Sequence, residues 1–261
     1  MVRIKDIAEA IENFAPLSLQ ESYDNAGLQI GHPDNVVNSV LLCLDVTEEI
    51  MDEAGKKGCD LIISHHPLLF SGLKHITGAT TVERIVEKAL KNGIAIYSAH
   101  TNLDSAFEGI NYEIASQLGL DNIQPLAPNK EFPGAGLGAF GNISPTPCLE
   151  FLRKVKDMFN VRHLRYSRQS KGLVVRKIAL CGGAGASLIP QAIALGADLY
   201  LTGDLKYHDF TSYGPDIILA DIGHYESELC SLKIFARILA DRFPQLPFFY
   251  SEADKNPIKT L

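Results

Sequence analysis

The 261-residue chain is 46% hydrophobic and 21% charged, an ordinary globular balance without fibrous or disordered bias. Its formal charge of −7 argues against nucleic acid as a partner and leaves room only for a local basic patch. The five cysteines are scattered and never spaced as C-x-x-C, which argues against a disulfide framework or a cysteine zinc site and fits a reducing cytoplasm.

Ile4, Ile7, Ala8, Ile11 and Phe14 recur at helical spacing, so the chain opens on a helix over 5–14 rather than a signal peptide. No stretch reaches the ~20 apolar residues of a membrane span. Further on, β-branched runs at 39–44, 61–63, 94–97, 177–180, 199–201 and 217–219 predict strands. They alternate with amphipathic stretches at 48–57, 81–91, 106–118, 149–159, 187–195 and 228–242, which predict helices. This alternation specifies an α/β fold built on mostly parallel sheets.

The chain also repeats itself. Gly58-Cys59-Asp60-Leu61-Ile62-Ile63-Ser64 lies on Gly196-Ala197-Asp198-Leu199-Tyr200-Leu201-Thr202 at an offset of 138 (196 − 58), each copy following a strand and a helix. Each is also followed by a strand leading to a His with an acid four residues on: His100 with Asp104, and His224 with Glu228. Two similar α/β domains facing each other across a cleft account for this symmetry. The stretch from 121 to 147, punctuated by Pro125, Pro128, Pro133, Pro145 and Pro147, has the weakest patterning and is where a domain crossing is expected.

Three motifs carry chemistry, each at a predicted strand end, where parallel sheets bind ligands. Ser64-His65-His66-Pro67 follows an apolar strand, and adjacent residues of an extended segment point opposite ways, which suits two ions better than one. In Ser98-Ala99-His100-Thr101-Asn102-Leu103-Asp104 the carboxylate of Asp104 suits a bridge between two cations, although a helix cap is the competing reading. In Gly223-His224-Tyr225-Glu226-Ser227-Glu228 the i, i+4 spacing puts His224 and Glu228 on one helix face. Taken together, His65, His66, His100, Asp104, His224 and Glu228 form a six-donor N/O set for two divalent ions. Without a thiolate, Zn, Mn, Fe, Co and Ni all suit it.

Other motifs carry less. Gly136-Leu137-Gly138-Ala139-Phe140-Gly141 matches G-x-G-x-x-G, but no helix follows it, so the dinucleotide reading fails. Cys181-Gly182-Gly183-Ala184-Gly185 reads as a tight turn between strand and helix. No G-x-S-x-G elbow or P-loop occurs, so an enzyme here would use a metal-activated water as nucleophile. His208 sits in the loop equivalent to the first histidine pair, and it or Glu226 is a candidate acid or base. His32, His75 and His163 read as surface residues.

The residues resemble those of the dinuclear metal-centre proteins, a YbgI-like family known as GTP cyclohydrolase 1 type 2 homologs. The resemblance runs through Tyr23-Asp24-Asn25-Ala26-Gly27-Leu28-Gln29-Ile30-Gly31, Leu44-Asp45-Val46-Thr47, the three motifs above and Leu201-Thr202-Gly203-Asp204. Tyr23 stands where many relatives carry Trp. The resemblance implies metal ligands at the same six positions and a first domain over 1–120 completed by 215–261, with a second over 121–214. It further implies a toroidal homohexamer and a metal-dependent hydrolase of GTP cyclohydrolase 1 type 2 type, acting on a small molecule or nucleotide through a metal-bridging water. The alternative is a ring that binds or delivers metal, or serves as a scaffold, without turnover. At 261 residues the chain leaves no room for the inserted middle domain of some relatives.

Overall fold

The computed structural model describes residues 1–167 and 172–259. From the N-terminus, β1 (Val2–Arg3) leads into α1 (Ile4–Phe14), followed by β2 (Gly27–Ile30), β3 (Val36–Val37) and β4 (Val40–Cys43). Next come α2 (Glu48–Lys57), β5 (Leu61–Ser64), α3 (Thr81–Asn92), β6 (Ala95–Ser98), α4 (Thr101–Ser105) and α5 (Ile110–Leu118). The order continues with β7 (Asp121–Pro128), β8 (Gly136–Pro147), α6 (Cys148–Met158), β9 (Arg165–Tyr166) and β10 (Val174–Leu180). It ends with α7 (Ile189–Ala194), β11 (Leu199–Thr202), α8 (Tyr207–Tyr213), β12 (Ile218–Asp221), α9 (His224–Glu228), α10 (Cys230–Arg242) and β13 (Phe248–Tyr250). No helix among the described residues is long and apolar enough to cross a membrane.

The chain divides into two compact units, one of Met1–Leu103 with Ser231–Lys255 and one of Asp104–Cys230 with Asn256–Leu261. The first is built on a five-stranded sheet of order β13-β4-β5-β6-β2, parallel except for the edge strand β2. Every residue of β4, β5 and β6 is buried, because helices cover both faces of such a sheet and leave no solvent side for polar alternation. Leu41, Ile62 and Ile96 pack with Ile50 of α2 and Ile85 of α3. Thr47 and Thr80 start α2 and α3 by accepting the N–H groups of Ile50 and Glu83, which satisfies donors that a helix start leaves open.

The second unit holds a six-stranded sheet of order β7-β8-β10-β11-β12-β9. Its centre, β10-β11-β12, is parallel, and antiparallel strands flank it on both sides. Ala179, Tyr200 and Leu219 pack with Ile189 of α7. Here the sequence reading missed a large element, since much of 121–147 forms the β7–β8 pair. Prolines hide it. β7 is an edge strand, where a missing N–H breaks no ladder, and Pro145 and Pro147 fall at the end of β8. The G-x-G-x-x-G stretch lies inside β8, with Gly138 and Gly141 against the backbone of Leu180 and Asp121, so these glycines serve close strand packing.

The repeat is visible bond by bond. In the first unit the Asp60 carboxylate accepts from Asn38 N at 2.6 Å, Asp60 N donates to Ser39 O at 3.1 Å, and Cys59 N donates to Ala54 O at 2.9 Å. Adding 138 to each number gives the second unit's set: Arg176 N to Asp198 at 2.7 Å, Asp198 N to Lys177 O at 2.8 Å, and Ala197 N to Ala192 O at 3.0 Å. Gly58 and Gly196 end the preceding helices with nearly equal left-handed φ values of 68° and 66°. The offset also pairs Cys43 with Cys181, both buried at the ends of parallel strands.

Candidate metal centre

In the first unit, β5 and β6 deliver three histidines to one place. His65 and His66 follow β5, and His100 follows β6; their ring centroids lie 5.0, 5.3 and 5.4 Å apart. One ligand nitrogen from each falls within 4.8 Å of the others, a grouping that could hold a metal ion. His65 is fully buried, while His66 and His100 are partly buried.

Each ring is held through Nδ1. His65 Nδ1 meets Ala99 O at 2.8 Å, His66 Nδ1 meets Asp45 Oδ1 at 2.8 Å, and His100 Nδ1 meets Asp24 Oδ1 at 2.8 Å. A carbonyl or carboxylate accepts only, so Nδ1 donates, and in a neutral ring Nε2 is then the lone-pair nitrogen, the one that binds metal. Burial pushes the Asp24 carboxyl up, but hydrogen bonds from His100 and Thr101 outweigh it and hold the group well below the carboxylate range. Asp24 is therefore an anion behind His100 at any neutral pH.

Backbone bonds place these side chains. His65 N and His66 N donate to Cys43 O and Leu44 O, extending the β4–β5 ladder beyond its last paired residues. The C-terminal segment holds the other side of this register, because Leu44 N donates to Asp254 Oδ2 at 2.6 Å. Asn102 accepts from His100 N at 2.9 Å and donates to Ala15 O at 2.8 Å, tying the start of α4 to the end of α1. Phe70 stands beside His100 at a centroid distance of 6.2 Å, and Tyr23 lies 6.3 Å from Phe70; both are exposed.

The second unit holds Asp104, His224 and Glu228. α9 carries His224 and Glu228 one turn apart, with Nε2 and Oε2 at 3.0 Å, and Asp204 Oδ2 accepts from His224 Nδ1 at 2.8 Å. Thus a fourth histidine is anchored in the same way. Asp204 adopts a left-handed φ of 56°, an uncommon conformation for a non-glycine residue, and it does so where its carboxylate meets His224. Glu228 is 3% exposed and packs against Gly183, where any Cβ would collide with Glu228 Oε1. Asp104 is buried as well, and Asn111 donates to its carbonyl at 2.9 Å. Burial raises the Cys181 thiol well above its ordinary value, and the Asp104 and Glu228 carboxylates raise it further. Cys43 is raised in the same direction by burial and by Asp254, Asp45 and Glu53. Both thiols are protonated at neutral pH.

The remaining candidates fall elsewhere. His208 is exposed on α8, edge-on to Tyr207 at 5.4 Å. Glu226 accepts from Asn256 Nδ2 at 2.8 Å. His32, His75 and His163 are exposed. The sequence reading missed Asp24, Asp45, Asp204 and Phe70 as functional residues. For the three aspartates the only sequence signal was their place inside the motifs that carry the family resemblance.

The sequence pattern of one family, Duf34/NIF3 (NGG1p interacting factor 3), matches residues 2–257. A GTP cyclohydrolase 1 type 2 homolog from Clostridium acetobutylicum is 34% identical over 265 residues, covering 99% of this chain and 98% of the relative. NIF3-like protein 1 of Drosophila melanogaster is also 34% identical, over 99% of this chain and 89% of its own. Among solved structures, a Bacillus cereus protein related to NIF3 is 25% identical, covers 100% and 99% of the two chains, and superposes with a TM-score of 0.89.

Proposed function

The chain belongs to the Duf34/NIF3 family, and on that footing we propose that His65, His66, His100, Asp104, His224 and Glu228 hold two divalent cations for a metal-dependent hydrolase. The observation that carries this reading is the common anchoring of four histidines. A ring that donates through Nδ1 to an acceptor keeps Nε2 as the nitrogen able to face a cation, and all four candidate histidines are held in this way. The donor types, imidazole and carboxylate, fit a divalent first-row ion.

Cations at these residues would neutralise developing negative charge and activate water at neutral pH. The protein's own part is positional. Asp24, Asp45 and Asp204 fix ring orientation, Phe70 stands edge-on beside His100, and Glu226 is a carboxylate two residues from His224. Hydrolysis of a nucleotide's heterocyclic ring, as the name of the Clostridium relative suggests, is the reaction class to test first. The test is turnover of GTP and of a panel of phosphoesters and amides by metal-loaded protein. Loss of turnover in His65→Ala and Glu228→Ala is expected, and turnover unchanged in both variants contradicts the proposal.

A second reading draws on the family description as an interacting factor: a homohexameric ring that presents or delivers metal without catalysis. Bound metal with no turnover of any substrate, and hexameric mass in solution, would favour it.

A further inference from the structure

In the first unit Phe70 adjoins His100 and Tyr23 adjoins Phe70, and the two aromatic residues are 50% and 61% exposed. Single exposed apolar residues are ordinary, but an exposed aromatic pair beside a candidate ligand calls for a reason. The backbone that carries Phe70 is fixed. Leu68 and Leu69 pack on the unit's core. Asn25 Nδ2 donates to Leu69 O at 2.6 Å, Leu69 N donates to Gln29 Oε1 at 3.1 Å, and Gln29 Nε2 donates to Asn25 O at 2.6 Å. Both backbone groups of the residue before Phe70 are thus bound by side chains of the segment whose Asp24 anchors His100. That one segment, 24–29, sets Phe70 and His100 relative to each other. Neither neighbouring ring is stacked on Phe70, since the interplanar angles are 75° to His100 and 46° to Tyr23.

An exposed aromatic on a fixed backbone loses little conformational freedom when a ligand covers it, which favours binding. The partner an aromatic ring prefers is another π-system in an offset or edge-on arrangement, and a flat heterocycle meets that preference whatever its substituents. We infer that Phe70, with Tyr23 beside it, binds the planar heteroaromatic ring of a substrate and holds that ring next to His100. The inference deepens the hydrolase reading, and the value of that position for chemistry rests on it. The ring site itself does not, because neither aromatic belongs to the six candidate ligands.

The experiment separates the two. Inosine, a purine nucleoside without phosphate, is offered by equilibrium dialysis to wild type, Phe70→Leu and Phe70→Trp, each metal-loaded and chelator-treated, with ribose as the control for the sugar. The wild type is expected to bind inosine but not ribose, and Phe70→Leu to bind inosine roughly five- to a hundredfold more weakly. The chain has no tryptophan, so Phe70→Trp keeps an aromatic face and adds a single indole reporter. It is expected to bind at least as tightly as the wild type, with saturable quenching of its fluorescence. No inosine binding by either form of the wild type, or equal binding by Phe70→Leu, overturns the inference. If that equality comes with a change of mass in solution, the aromatic pair belongs to a contact between copies instead. Metal content is read on the same preparations. A wild type that takes up no metal yet binds inosine through Phe70 defeats the metal reading and leaves the ring site standing, and metal uptake without inosine binding does the reverse.

Discussion

β5 and β11 hold the same place in two repeats of one strand-and-helix frame, yet they end differently. β5 runs into His65 and His66, whereas β11 runs into Gly203 and Asp204. The offset of 138 puts Asp204 where the first unit has His66 (204 − 66), and puts Gly183 where it has Asp45 (183 − 45). In the first unit the β5 position is therefore a candidate ligand and the β4 position its anchor. In the second, the β11 position is the anchor, and the glycine clears the space that Glu228 occupies. The repeated frame keeps its strand-end positions but fills them differently, with three of the four candidate histidines in one unit and both candidate carboxylates in the other.

Removing first-unit donors breaks this division most severely. His66→Ala with His100→Ala is expected to weaken metal retention by more than about a hundredfold, read by equilibrium dialysis against a chelator of known affinity. The anchors sharpen the comparison. Asp24→Asn and Asp204→Asn should each weaken metal binding by roughly ten- to a hundredfold with the fold intact by circular dichroism. The Asp24 change should be the larger, because its side chain is fully buried whereas that of Asp204 is 52% exposed. Equal effects would mean that burial of the anchor is irrelevant.

A smaller effect is expected at Gly183, where the left-handed φ of 60° costs a side chain about 1–2 kcal/mol and a methyl group displaces Glu228. Gly183→Ala should lower the thermal midpoint and reduce metal content. The matching position in the first unit already carries a side chain, Asp45.

The smallest effect concerns a loop with no counterpart, since residues 65–80 link β5 to α3 where 203–206 suffice between β11 and α8. Glu83 holds the end of that loop. The N–H and hydroxyl of Thr77, the N–H of Ala79 and the hydroxyl of Thr80 bring its carboxyl from an ordinary 4.5 down to about 2. A depressed folded-state value stabilises the protein above the ordinary value, and the contribution is lost as pH falls toward 2. Glu83→Gln should therefore unfold at lower urea than the wild type at pH 7, with the two midpoints converging between pH 4.5 and about 2.

Most of the parallel core was legible in the sequence because buried central strands read as continuous apolar runs, as in Leu61-Ile62-Ile63 and Leu199-Tyr200-Leu201. The edges were not. β7 and β8 carry prolines and glycines that propensity assigns to turns, and β2 and β13 are short strands that gain their place only by pairing with β6 and β4. The helix expected over 106–118 is α5, which starts only at Ile110, and α4 before it was not expected. At the site, the candidate ligands stood out because histidine is rare and recurred at strand ends. Asp24, Asp45 and Asp204 did not, since a surface-type aspartate acquires meaning only when a distant ring nitrogen reaches it.

The central claim is tested most directly by counting metal. Protein purified without added metal, then offered Zn, Mn, Fe, Co and Ni in turn under anaerobic conditions and freed of excess, should retain two equivalents per chain of at least one of them by inductively coupled plasma mass spectrometry. His65→Ala and Glu228→Ala should each fall below two. A chain that retains none of the five, or whose content is unchanged in both variants, contradicts the account.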